Sequence, residues 1–170
     1  INKDEEIRLN SSSGGIFTLL AEATIDSGGI VFGAAFDADL NVHHISINNK
    51  NELYKLRGSK YLQSTIGNSY QEAEKYLKNE QTVLFSGTPC QISGLKTYLG
   101  VDYPNLITQD IICHGVPSPL VWQKYLAYLQ DKFKSSVTND ETPSFRNKST
   151  GWKGYSVSVN FENKFTYIKK

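Results

Sequence analysis

Cys90 and Cys113 are the only cysteines in 170 residues, and each stands at the end of an apolar run. The first run, from Thr82, reads TVLFSGTPCQISGLK; the second, LITQDIICHGV, ends at Val116. A thiolate is both a nucleophile and a soft metal ligand. In SGTPCQ a proline precedes the thiol and a helical pattern follows it. Cys90 is therefore expected at a helix N-terminus, where free N–H groups and the helix dipole favour thiolate over thiol. Cys113 is followed directly by His114 and Gly115.

Three chemistries fit these residues. In a Cys–His nucleophilic pair, Cys90 would attack and His114 would act as base, with Gln91 or Thr88 helping an oxyanion. A metal or cluster site would use both thiols, but two thiolates fall short of the usual four ligands. Their spacing matches no compact zinc or cluster motif. The third reading is plain packing of two buried cysteines. The residues alone leave all three open.

The elements that must hold the thiols are read from pattern. Each run is taken as a buried strand stopping at a small polar cluster and followed by a helix. Strand–loop–helix repeated in this way is the grammar of a parallel sheet. Ligands in such folds gather beyond the carboxyl ends of the strands, so both thiols are expected on one functional edge.

The remaining chain surrounds that edge. Ile1 to Asn10 is read as a solvated lead-in. Ser11-Ser12-Ser13-Gly14-Gly15 precedes a helical pattern through Thr24, with serine expected as the N-cap. An anion-accepting helix N-terminus is the functional alternative there. Ser27-Gly28-Gly29 closes the helix. Ile30 to Asp37 and Val42 to Ile47 then read as a hairpin. His43 and His44, as neighbours on a strand, must point to opposite faces and are expected on the sheet surface. Asn51 to Arg57 is a short helix.

Gly58 to Ser64 is a polar insertion in which Lys60, between Ser59 and Tyr61, suits an anionic ligand or a solvated loop. Ser69 to Lys78 is an amphipathic helix with Tyr70, Ala73 and Leu77 on one stripe. Pro117-Ser118-Pro119 opens another helix, with Val121, Trp122, Tyr125, Leu126 and Leu129 as its buried face. Pro143 to Tyr155 interleaves Arg146, Lys148 and Lys153 with Phe145, Trp152 and Tyr155, a mixture that could stack on a planar ring and pair with phosphate, or form a basic strand face. SVSVNF and KFTYI read as an antiparallel pair turned at Glu162-Asn163.

A formal net charge of +1 gives no reason to propose nucleic acid, an acidic polymer or a membrane surface. No apolar run approaches the ~20 residues that span a bilayer. Two cysteines make no disulfide framework, so a reducing, cytoplasmic setting is expected. The chain begins at Ile1 and contains no methionine, and is read as a fragment of a longer protein.

SSSGGIFTLL, GGIVFGAAFD, KLRGSKYLQS, VLFSGTPCQISGLK, DIICHGVPSP and SFRNKSTGWKGY occur in that order. Together, from about Ser11 to about Tyr155, they resemble the coenzyme F-420 hydrogenase/dehydrogenase beta-subunit family. The resemblance implies a flavin- and iron–sulfur-dependent oxidoreductase, with FAD and a [4Fe–4S] cluster. Electrons would pass between clusters, flavin and a deazaflavin or other two-electron carrier, with a redox partner protein or ferredoxin-like segment alongside. It implicates Cys90 and Cys113 as cluster ligands. It sets Ser12, Ser13, Gly14, Gly15, Ser59, Lys60, Tyr61 and Thr88 along the flavin's phosphate and ring, and adds Arg146 and Lys148 as further cofactor contacts.

The chain departs from that pattern in having no ferredoxin-type cysteines and no downstream Cys-x-x-Cys. The fragment alone is therefore expected to hold neither cofactor and to be inactive, with activity in the full-length protein. A Cys–His hydrolase or acyltransferase, and a cofactor-free binding or assembly domain, remain the alternatives. The expected fold is α/β, a mixed, largely parallel central sheet flanked by helices, with an antiparallel strand pair near the C-terminus. Its expected divisions are a lead-in over 1–10, an α/β core over 11–132, and a loop plus C-terminal strands over 133–170.

Overall fold

The computed structural model describes residues 1–138, 142–149 and 151–169. Residues 139–141 of the polar connection, Thr150 of the basic–aromatic stretch and the terminal Lys170 lie outside the described residues. The chain divides into two compact units. One comprises Ile1–Ala35, His43–Arg57 and Ser64–Gly115; the other comprises Phe36–Val42, Gly58–Gln63 and Val116–Lys170.

The first unit is built on the mixed sheet that the apolar runs predict. Strands β1 (Ile30–Phe36), β2 (Val42–Ile47), β3 (Val83–Gly87) and β4 (Leu106–Asp110) lie in the order β2-β1-β3-β4. β1 pairs with β3 and β3 with β4, both in parallel. Alternation along β1 and β3 sends successive side chains to opposite faces, so each face carries its own core. On one face Phe32 and Phe85 stack 5.3 Å apart. They pack with Ala73 and Leu77 of α4 (Ser69–Lys78) and with Ile92 and Leu95 of α5 (Pro89–Leu99). On the other face Val31 and Leu84 meet Ala21 of α2 (Ile16–Asp26) and Leu53 and Leu56 of α3 (Leu53–Leu56). Burying a side chain of this size contributes roughly 2 kcal/mol.

Several expectations for this unit are corrected. The lead-in is not wholly solvated: α1 (Glu5–Asn10) forms behind an Asp4 cap that accepts the Ile7 N–H at 3.1 Å, and Asn2 is buried. The cap of α2 is Gly15, in the left-handed region at φ +77°, rather than a serine. The second apolar run is not a buried strand. β4 is the sheet edge and only half-buried, and beyond its end at Asp110 the Ile111 and Ile112 side chains are exposed. His43 and His44 do take opposite faces, but His44 is buried rather than superficial. The Ser64–Thr65 segment covers the outer edge of β2, pairing with it through the His44 N–H to Thr65 carbonyl bond of 2.9 Å.

In the second unit α6 (Pro119–Phe133) starts with Pro119 behind a Ser118 cap. Trp122, Leu126 and Leu129 form its buried stripe. Val121, expected there, is exposed because it sits about 100° around the helix from Trp122. The C-terminal strand pair, β6 (Ser156–Asn160) and β7 (Thr166–Lys169), is antiparallel as expected, but β5 (Ser144–Asn147) joins it to give the order β5-β6-β7. Aromatic rings dominate this core: Phe133 meets Phe161 at 5.6 Å and Tyr167 at 5.5 Å, and Trp122 meets Phe145 at 5.3 Å. The Trp122 indole N–H donates to the Leu40 carbonyl at 2.9 Å. No helix among the described residues is long and apolar enough to cross a membrane.

Candidate functional site at the carboxyl edge of the parallel strands

Gly87 of β3 lies opposite Asp110 of β4, and the Ile111 N–H extends the ladder to the Gly87 carbonyl at 3.1 Å. Cys90 and Cys113 follow Gly87 and Asp110 at the same offset. Equal offsets from a paired register carry both thiols off the carboxyl end of the sheet.

Cys90 lies in the first turn of α5, as proline and helix pattern require. Thr88 caps that helix in a reciprocal box with Gln91, whose Oε1 accepts the Thr88 N–H at 2.9 Å. The Thr88 hydroxyl lies 3.1 Å from Cys90 Sγ. Cys113 sits outside any regular element, and its sulfur accepts the Gly115 N–H at 3.4 Å. Both thiols are exposed, which overturns the reading of two packed, buried cysteines. His114 is exposed too, and among the described residues no hydrogen bond joins it to Cys90.

Beneath the Cys90 turn is a set of contacts that sequence reasoning missed. The His44 ring stacks on Phe85 at 5.3 Å and 12°. Its Nε2 is 3.0 Å from the Ser86 carbonyl and its Nδ1 2.7 Å from the Ser64 hydroxyl. A carbonyl only accepts, so Nε2 carries the proton and the Ser64 hydroxyl donates to Nδ1. Burial holds the imidazole pKa below its usual value, keeping it neutral, against the opposing pull of the Ser86 carbonyl. Gln91 Nε2 donates to the Ser64 carbonyl at 3.4 Å, and the Tyr70 hydroxyl donates to the Gln91 carbonyl at 2.7 Å. Burial, then the neighbouring Cys90, pushes the Tyr70 phenol up. No signal in the VHHISI pattern separates a buried histidine from a surface one; the covering segment comes from residues distant in sequence.

The other candidate residues occupy two places. Ser12, Ser13, Gly14 and Gly15 lie in the first unit, where the glycines let the chain's own start approach. The Asn2 N–H donates to the Gly14 carbonyl at 2.7 Å, and a Cβ on Gly14 would come within 2.9 Å of Ile1. Beside this turn the buried Asn2 amide nitrogen, Nδ2, has no hydrogen-bond partner among the described residues, a donor that fits an anion.

Ser59, Lys60, Tyr61, Arg146 and Lys148 lie in the second unit. There the Tyr61 ring meets Phe145 edge-on at 5.8 Å, bringing the Lys60 loop to the start of the basic–aromatic ribbon. The Arg146 guanidinium lies 4.2 Å from the Tyr155 ring centre, and the Lys148 ammonium 3.8 Å from that of Trp152. Lys60 is partly exposed as a residue, yet burial around its amine pushes the pKa down to about 8. Burial, then the charge of Arg146, lowers Lys148. These cations, held beside half-exposed rings, fit the phosphate and ring of a flavin.

A four-iron cluster or structural zinc asks for four ligands. Among the described residues no group of three or more His, Cys, Asp or Glu side chains could hold a metal ion. Two thiols are half a ligand set and do not by themselves fit a cluster.

Among solved structures, the fold matches a chain of the F420-reducing [NiFe] hydrogenase complex from Methanosarcina barkeri, studied as a xenon derivative, with a TM-score of 0.61 and 18% sequence identity. The match covers 98% of this chain and 57% of that one, so the chain spans a little over half the length of this neighbour. At that identity the likeness concerns the fold alone. No protein-family model matches the chain, and no curated protein matches it in sequence.

Proposed function

We propose that this chain is an electron-transfer domain of a flavin- and iron–sulfur-dependent oxidoreductase. The observation that carries the reading is the release of two exposed thiols, Cys90 and Cys113, from the carboxyl ends of adjacent parallel strands. That is where this class of sheet gathers its ligands. The fold likeness to a chain of a hydrogenase complex supports the same direction. In this reading Cys90 and Cys113 supply one side of a cluster site, and the remaining ligands come from another segment or a partner. The Gly115 N–H donates to the Cys113 sulfur, and the Thr88 hydroxyl lies 3.1 Å from the Cys90 sulfur, to which it donates when that sulfur is a thiolate. Such bonds stabilise sulfur-centred negative charge and tune reduction potentials.

FAD is the proposed second group, and it supplies two-electron chemistry when bound. Lys60, Arg146 and Lys148 would neutralise its phosphates, with Tyr61 beside the ring. In the first unit the Ser12–Gly15 turn and Asn2 Nδ2 offer a further anion position. The electron acceptor would be a deazaflavin or other two-electron carrier, and the setting cytoplasmic.

The experiment is chemical analysis of the protein expressed anaerobically from its complete coding region. Iron, acid-labile sulfide and flavin are expected together. Cys90→Ser and Cys113→Ser should each lose iron while keeping flavin. A colourless protein with neither cofactor would sink the reading.

A further inference from the structure

We infer that His44 is a positioning residue for the Cys90 thiol. The inference rests on Cys90 being a working thiol of the proposed site, and it starts from a closed ring of contacts. His44 Nε2 donates to the Ser86 carbonyl, and Nδ1 accepts a hydrogen bond from the Ser64 hydroxyl. The Ser64 carbonyl accepts from Gln91 Nε2, and Gln91 Oε1 accepts the Thr88 N–H, which returns along the backbone through Gly87 to Ser86. A segment of β2, the covering loop and the strand-to-helix turn are thus tied together. The turn is tight against this ring: a Cβ on Gly87 would stand 3.0 Å from Gln91 Oε1 and 3.5 Å from His44 Nε2.

Beyond the ring, Thr88 reaches Cys90 Sγ at 3.1 Å. An imidazole buried to 6% exposure loses its hydration, a cost that the apolar stack on Phe85 alone does not offset. A phenylalanine would stack there equally well. What it would lose is both hydrogen bonds, and with them the fixed direction of the Ser86–Thr88 backbone and of the hydroxyl aimed at the sulfur. His44 therefore acts on Cys90 without touching it.

The test is alkylation of the purified chain by iodoacetamide at one pH, with the Cys90 and Cys113 rates resolved by peptide mass spectrometry. Cys113 is the internal control: its loop supplies none of the ring's side-chain hydrogen bonds and joins that turn through the Ile111 N–H on the Gly87 carbonyl. His44→Phe and Ser64→Ala should each lower the Cys90-to-Cys113 rate ratio, His44→Phe by about threefold or more. His44→Gln, whose amide can still donate to the Ser86 carbonyl, should bring the ratio back toward that of the unaltered chain. A ratio unchanged in Ser64→Ala and in folded His44→Phe overturns the inference. So does a ratio that His44→Gln fails to restore, or a loss shared equally by both thiols. The assay needs no cofactor, so its outcome is separate from whether iron or flavin binds.

Discussion

Lys60 is a cation whose charge state the fold disturbs near neutral pH. Burial alone brings its amine to about 8, against ~10.4 for an unfolded lysine. The sign follows from proton counting. Between about 8 and about 10.4 the unfolded chain binds a proton that the folded chain has released, so stability rises with pH across that window. Below it the folded state carries a buried cation and is at its least stable with respect to this group. Lys60→Met keeps the stem and removes the charge. It should be more stable than the unaltered chain at pH 7 and show a flatter stability profile up to pH 9.5. Urea unfolding followed by tryptophan fluorescence measures this in the right unit, because Trp122 and Trp152, the only tryptophans, both belong to it. Identical pH slopes for the two proteins would refute the assignment. The same residue marks a functional opportunity: an anion beside Lys60 would restore its charge.

The joints between elements are decided by glycines whose tasks differ. Gly29 lies where α2 hands the chain to β1. A Cβ there would meet the Thr82 carbonyl at 2.6 Å and the Thr24 carbonyl at 2.8 Å, both backbone atoms that cannot swing aside. Gly33, inside β1, would place a Cβ 3.4 Å from Leu56, an ordinary contact. Gly29→Ala should therefore cost about 2–3 kcal/mol in urea unfolding. Gly33→Ala should stay within about 1 kcal/mol of neutral, because lost strand entropy is recovered as packing. Comparable losses at the two sites would show that close backbone approach is not what selects Gly29.

The same scale explains the thiol edge. Pro89 and the Thr88–Gln91 box are local signals, so the start of α5 and the position of Cys90 in its first turn were legible from SGTPCQ. The edge position of β4 is not local. LITQDII has the composition of a buried strand, but strand order decides that one side of it meets solvent, leaving Ile112 90% exposed beside Cys113.

At the scale of the molecule, the parallel sheet could be read because strand–loop–helix units are written in periodicity and Gly/Pro punctuation. Ser69–Lys78 appears with the limits its apolar stripe predicts. What could not be read depends on partners far along the chain. Ser64–Thr65 converts His44 from a surface position to a core one, and Tyr61 on Phe145 draws together two basic stretches that looked unrelated. For the candidate site, the direction in which the thiols leave the sheet was legible, while the hydrogen bonds that steady them were not.

The central claim is that Cys90 and Cys113 form one site on the carboxyl edge. Dibromobimane, which becomes strongly fluorescent when it bridges two thiols within one molecule, tests it most directly. The reduced monomeric chain should become fluorescent with one bimane per chain and no free thiol, whereas Cys90→Ser and Cys113→Ser should remain dark. A wild-type chain as dark as the two variants, with each thiol modified separately, would contradict a shared site.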